Sequence, residues 1–311
     1  MDWNLLKNVD EGRMRKCIFC NCSEDDFGDD NCWTEEHIIP KALGNNFLKL
    51  FNVCKNCNSK LGANVDNYFV NHRLVKIIRQ RLKLPGQSGE IPNAFEEGKD
   101  EKGNIIRIDK NYHPTVVPTL KTEGNKVRVV AGTKEEAKAM LQKKLSRMKM
   151  PEEVIQEKMS KIDEMKSQCY QPKVSYDITV ELNRFFMEAL KIAYEYAIYK
   201  IGDDYLEDSR AMEIQQYLKM AKDGEMKNKC DEFYGVSFLP KEIKAILQNV
   251  SDLNIHMLML HPDRDKKLIA EIILFMEPML SFSVLVSQNS NKYSNLKYPL
   301  TEIIQIQAKS D

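Results

Sequence analysis

The chain has 311 residues, enough for one large domain or two ordinary ones with a substantial core. Lysine plus arginine and aspartate plus glutamate balance at 46 each, so overall charge gives no support to nucleic-acid binding, and any such surface must be a local basic patch. A mean hydropathy of −0.48 and 30% charged residues describe a helix-rich chain, and no apolar stretch approaches a membrane span, so no membrane association is expected.

The opening Met1-Asp2-Trp3-Asn4 lacks the basic stretch and apolar run of a secretory signal, which leads us to expect a cytoplasmic, reducing setting. There, paired cysteines read as metal ligands rather than disulfides. Residues 1–16 form a polar lead-in with a short amphipathic piece around Trp3, Leu5 and Leu6. Residues 23–31 are acidic, but the twelve-residue calcium loop with its closing Glu is not met, so a solvated turn is expected.

Trp33 to Ile39 has the β-branched and aromatic content of a strand, broken by Pro40 and Gly44. From Asn58 the pattern turns helical, with Leu61, Val65, Tyr68, Phe69, His72, Val75 and Ile78 on one face. Leu84-Pro85-Gly86, followed by Gly89 and Pro92, ends that helix and sets a boundary between domains 1–84 and 85–311. Gly86-Gln87-Ser88-Gly89 lacks the Lys-Ser/Thr ending of a phosphate loop and is a turn.

Short runs at Ile105–Asp109, Thr115–Pro118 and Lys126–Ala131 read as strands, the last closing a hairpin at Glu123-Gly124-Asn125. Thr133-Lys134-Glu135-Glu136 is a capping-box start for a helix through Met148, and Pro151 opens another to about Met165. Residues 178–200 carry the broadest apolar helical face, and 204–221 follow as a further helix. The stretch 254–287 alternates as an antiparallel meander. The fold class is thus α+β. No internal repeat or low-complexity tract is found.

Two Cys-x-x-Cys pairs, Cys17/Cys20 and Cys54/Cys57, supply four soft thiolates, the donor set of a closed tetrahedral zinc site. Cys22 and Cys32 are spare, and Cys169 and Cys230 read as isolated buried thiols. Between the pairs lie Glu36 and His37, and Asn58 follows the last cysteine at a helix start. A neutral imidazole is suited to take a proton from water, and carboxylate and amide oxygens suit Mg²⁺ or Mn²⁺. On a regular strand, Glu36 and His37 point to opposite faces, so a shared site needs an intervening metal or a distorted strand. A hard ion beside a histidine base is the equipment of phosphodiester hydrolysis.

Cys17-x-x-Cys20, Glu36-His37-Ile38-Ile39-Pro40 and Cys54-x-x-Cys57-Asn58 resemble the zinc-bound ββα-metal subclass of the HNH endonuclease family, over roughly residues 15–75. The resemblance implies an N-terminal hairpin packed on a helix, with His37 as general base and Glu36 and Asn58 as ligands of a catalytic Mg²⁺ or Mn²⁺. It also implies a strand distortion that lets Glu36 and His37 share a site. The family's middle signature residue, usually an Asn that braces the hairpin loop, is not matched directly: Lys49 falls near that place, with Asn45, Asn46 and Asn52 beside it. This form is similar to those attached to bacterial restriction and anti-phage proteins, which implies DNA as substrate. The larger α+β domain then either recognises the target or senses a small-molecule or protein activator. A homodimer would account for double-strand cutting. A zinc adaptor that binds nucleic acid without cutting it fits the cysteines equally well, but has no need of Glu36, His37 and Asn58.

Other basic or aromatic groups have two readings. His72, Arg73, Lys76, Arg79, Arg81 and Lys83 are phosphate contacts or a solvated helix face. The lysine-rich stretch 121–149 is diluted by Glu135 and Glu136 and reads as a solvated face. His256 and His261 read as a turn and an edge-strand histidine rather than a second metal site, and Tyr194, Tyr196 and Tyr199 as core and rim rather than a base-stacking platform.

Overall fold

The computed structural model describes residues 15–109, 111–124, 126–166, 173–225, 233–249 and 253–306. Cys169, Cys230 and the amphipathic piece at Trp3–Leu6 lie outside them. Contacts divide the chain into two compact units: one holds the residues up to Pro92 together with those from Val180 on, the other Asn93–Thr179. The Pro-Gly punctuation at residue 85 does end a helix, but by contact the first unit runs on to Pro92 and takes up the chain again at Val180.

The first unit begins with strands β1 (Trp33–His37) and β2 (Lys49–Cys54), an antiparallel hairpin whose register slips between Thr34 and Glu36. Helix α1 (Lys55–Leu61) starts three residues before the apolar pattern announces it. Its leading N–H groups are met by the preceding loop: Lys55 N donates to Cys32 O at 2.8 Å and Asn56 N to Asn31 Oδ1 at 3.1 Å. One π turn, Gly62–Asp66, then interrupts the helical path before α2 (Asn67–Asn71). The expected single helix breaks at His72, whose ψ of 140° is extended; its Nδ1 accepts the Leu74 N–H at 3.3 Å and so caps α3 (Arg73–Arg81).

The second unit is described by itself. Strands β3 (Glu97–Lys99), β4 (Ile105–Ile108) and β5 (Pro114–Val116) form one antiparallel sheet, and β6 (Thr119–Glu123) and β7 (Lys126–Val130) the expected hairpin. Gly98 allows a close crossing: a Cβ there would meet Val174 Cγ1 at 2.5 Å. Thr133 Oγ1 accepts the Glu136 N–H at 3.2 Å and Glu136 answers to Gly132 N, capping α4 (Lys134–Arg147). Helix α5 (Glu152–Glu164) packs on α4 through Leu145, Ile155 and Met159.

Back in the first unit, α6 (Leu182–Ile201) is its axis: every residue from Phe185 to Ile198 is buried. A helix buried all round must have partners on every side. It finds α2, α7 (Ser209–Lys222) and a five-stranded antiparallel sheet. That sheet runs in the order β12–β9–β10–β11–β8, with β8 Val236–Phe238, β9 Ile255–Pro262, β10 Leu268–Ile273, β11 Ser281–Ser287 and β12 Leu300–Gln305. Helix α8 (Lys241–Gln248) lies between β8 and β9 in the chain. The meander β9–β10–β11 is as expected, whereas β9 is an inner strand, so His256 and His261 do not sit on an edge. Phe186, Phe238 and Phe282 meet between helix and sheet, and the two buried ones, Phe186 and Phe282, each contribute about 1.5–3 kcal/mol by burial. Tyr194 and Tyr196 are core residues, their hydroxyls donating to Ile18 O at 2.7 Å and to Leu258 O and Leu300 O. Among the described residues no helix is long and apolar enough to cross a membrane.

Candidate active site

The four expected thiols converge. The sulfurs of Cys17, Cys20, Cys54 and Cys57 all lie within 4.8 Å of one another, and Cys17, Cys54 and Cys57 are buried. Cys22 and Cys32 are not in the group. A hydrogen bond from the Cys57 thiol, and backbone N–H groups of Cys54, Cys20 and Phe19, bring the Cys17 thiol down to about 4 against the opposing effect of burial. Cys54 N stands 3.4 Å from Cys17 Sγ. Four soft donors fit a structural zinc. The first knuckle is clamped from outside: Tyr194 on α6 and Gln215 on α7 both donate to Ile18 O, at 2.7 and 2.6 Å.

Those knuckles hold α1 against β1. Asn58, directly after Cys57, donates its Nδ2 to Glu35 O at 2.9 Å and to Thr34 Oγ1 at 3.1 Å. The amide nitrogen is committed to the strand, so Oδ1 is the atom left to meet an ion.

His37 ends β1 opposite Lys49 of β2 and is half-buried. Burial lowers its pKa, and Lys49 and Lys41 add to the effect, so the ring is neutral and able to accept a proton at neutral pH. Glu35, on the same face, pairs with Lys49 at 2.6 Å.

Glu36 sits differently from the expectation. The register slip precedes it, and Glu36 and His37 keep opposite faces: Glu36 pairs with buried Leu50 and is itself 4% exposed. Its Oε1 accepts from Lys191 Nζ at 2.6 Å. Asp66 shares that ammonium at 3.1 Å and Glu195 at 3.6 Å. The oxygen donors suit a hard cation in kind, but the ammonium already engages Glu36.

The amide that braces the hairpin loop is Asn45. It is fully buried; Nδ2 donates to Ile39 O and Leu48 O, and Oδ1 accepts from Phe47 N and Leu48 N, all between 2.9 and 3.0 Å. Lys49 instead faces Glu35. Gly44, at φ +97°, closes the preceding turn where a Cβ would meet Ile306 Cγ2 at 2.8 Å.

The basic stretch of α3 is only partly a surface. Arg79 is buried and donates to Val70 O at 2.8 Å, and Arg81 lies 3.4 Å from Glu277. His256 is buried within the sheet, and His261 Nε2 lies 3.2 Å from Glu271, so neither belongs to a metal cluster among the described residues. A cavity of about 500 Å³ lined by Asp204, Glu207, Asp208, Lys292 and Tyr293 contains none of the site residues; Asp208 is there satisfied by Ser287, Tyr293 and the Arg210 N–H.

A hairpin and a helix brought together at four clustered cysteines, with a half-buried histidine at the end of the first strand, define a zinc-type ββα module on an α+β chain. Residues 17–74 match the model of the HNH endonuclease family. No curated protein and no solved structure matches the chain.

Proposed function

We propose that the protein is a metal-dependent endonuclease that hydrolyses phosphodiester bonds in DNA. The observation that carries this is the tether of Asn58 to Glu35 and Thr34, which sets the helix residue after the last cysteine beside the strand that ends in His37, within a segment matching the HNH endonuclease family. In this reading His37, neutral at physiological pH, accepts a proton from the attacking water. Asn58 through Oδ1 and Glu36 through its carboxylate would hold Mg²⁺ or Mn²⁺, which when bound supplies charge stabilisation at the scissile phosphate. Lys49 and Lys41 beside His37 attract the phosphate backbone. A role in restriction or anti-phage defence, in the cytoplasm, is the setting we infer for such an activity, with the chain outside 17–74 serving target choice or control, as a monomer or homodimer.

The test is incubation of the zinc-replete protein with plasmid DNA and Mg²⁺ or Mn²⁺. Nicked or linear products that vanish with chelator of the exchangeable ion support the reading. DNA binding without products under every ion would favour a zinc adaptor.

A further inference from the structure

Glu188, Lys191 and Glu195 stand at three- and four-residue steps on one face of α6, a spacing that normally marks a solvated stripe. Here all three are fully buried. Lys191 Nζ lies 2.6 Å from Glu36 Oε1, 3.1 Å from Asp66 Oδ1 and 3.6 Å from Glu195 Oε1. Glu188 lies within hydrogen-bond reach of the Asp66 carboxyl, and its further electrostatic neighbours are Lys191 and Glu36. Four carboxyl groups from β1, the π turn and α6 therefore share a single ammonium. Burial, with Asp66 adjacent, pushes Glu188 well above the ordinary carboxylate range, as expected where negative charge exceeds positive.

Oxygen donors of this kind and number are what a hard divalent ion takes. Yet among the described residues the four cysteines are the one group of three or more Cys, His, Asp or Glu side chains placed to hold an ion. The Lys191 ammonium lies among these carboxyl groups, nearest to Glu36 and Asp66.

We propose that Lys191 is a latch on the nuclease site: its ammonium takes the place of a divalent ion at Glu36, so that Glu36 holds no ion until α6 withdraws the lysine. The inference rests on the reading of Glu36 as a ligand of the catalytic ion. A tethered cation in a dry interior pairs with its carboxylates without a concentration cost, whereas a hydrated ion must shed water to compete. Because α6 lies outside residues 17–74, the latch gives the rest of the chain control over the module.

The test uses the full zinc-replete chain, with Mn²⁺ as the probe, read by equilibrium binding and by melting temperature. Mn²⁺ binding by the otherwise native protein sets the baseline. Lys191→Met is expected to bind Mn²⁺ at least tenfold more tightly or to take up one additional ion. That gain should disappear in Lys191→Met/Glu36→Gln, and the melting temperature of Lys191→Met should rise with Mn²⁺ far more than that of the native chain. Should Lys191→Met not fold, Lys191→Met/Glu195→Gln removes a carboxylate along with the ammonium and is read in the same way. No gain in either lysine variant, or a gain that survives Glu36→Gln, would overturn the latch. Cleavage is scored separately: no cutting of DNA by the native chain and by Lys191→Met alike defeats the nuclease reading, while the binding data still decide the latch.

Discussion

Asn45 grips Leu48 from both sides of its peptide backbone. Its Oδ1 accepts the Leu48 N–H at 2.9 Å, and its Nδ2 donates to the Leu48 carbonyl at 2.9 Å. Two further bonds, to Ile39 O and Phe47 N, complete the set. The loop between β1 and β2 is therefore fastened by one side chain with both functions of its amide in use. Asn45→Ala leaves buried backbone groups unpaired and should destabilise the protein by about 2–4 kcal/mol. Asn45→Asp loses the donor and should be no milder. Chemical denaturation measures both; a loss below about 0.5 kcal/mol for either would show that the brace is dispensable.

The thiolate cluster predicts a division among the cysteines. Cys57→Ser or Cys17→Ser should abolish zinc uptake and unfold the hairpin and α1, because the binding free energy of such a site is folding free energy. Cys22→Ser and Cys32→Ser should keep one zinc per chain, since both stand outside the cluster. Elemental analysis with melting curves tests this, and retained zinc in Cys57→Ser would contradict it.

His256 predicts an acid limb in stability. The ring is fully buried; its Nε2 lies 2.9 Å from Leu43 O and its Nδ1 accepts the Phe275 N–H at 3.0 Å. Burial, opposed only by the Leu43 carbonyl, holds it at about 4. A folded value below the unfolded one means the stabilisation is complete above the unfolded value of about 6.5 and is lost as pH falls toward 4. The loss should approach about 3 kcal/mol. His256→Gln should flatten this limb at the expense of a lower plateau; an unchanged acid limb in that variant would assign it elsewhere.

Asn58 predicts a separable tether. Asn58→Asp keeps an oxygen for an ion but removes the Nδ2 donor to Glu35 O and Thr34 Oγ1. It should lower stability by about 1–2 kcal/mol, and Asn58→Ala should remove both contributions. Equal metal dependence of the two variants would exclude Oδ1 as a ligand.

What could be read in advance follows from the physics of each feature. The cysteine cluster was legible because metal ligation demands particular residue types at short, local spacings. The meander was legible from alternation. Lys191 was not: it lies 155 residues from Glu36, on a helix whose Glu188–Lys191–Glu195 spacing is that of an exposed stripe. Asn45 was only one amide among several, since which of them turns inward depends on the path set by Gly44. Strand β8 is three residues long, too short to show a period, and β12 joins the sheet beside β9 rather than beside its neighbour in sequence. The break at His72 has no signal in the sequence, because an apolar face continues through it and the bend is marked by the ring's capping bond to Leu74.

The central claim, that His37 activates water for phosphodiester hydrolysis in this module, is tested most directly by comparing native protein with His37→Ala. Both should be zinc-replete, with matched melting curves, and assayed on plasmid DNA across a Mn²⁺ and Mg²⁺ series. The account predicts slow cleavage by the native chain, in which Lys191 engages Glu36, and a further loss of at least about a hundredfold in the variant, with zinc content and fold unchanged. Undiminished cleavage by pure His37→Ala protein would contradict it.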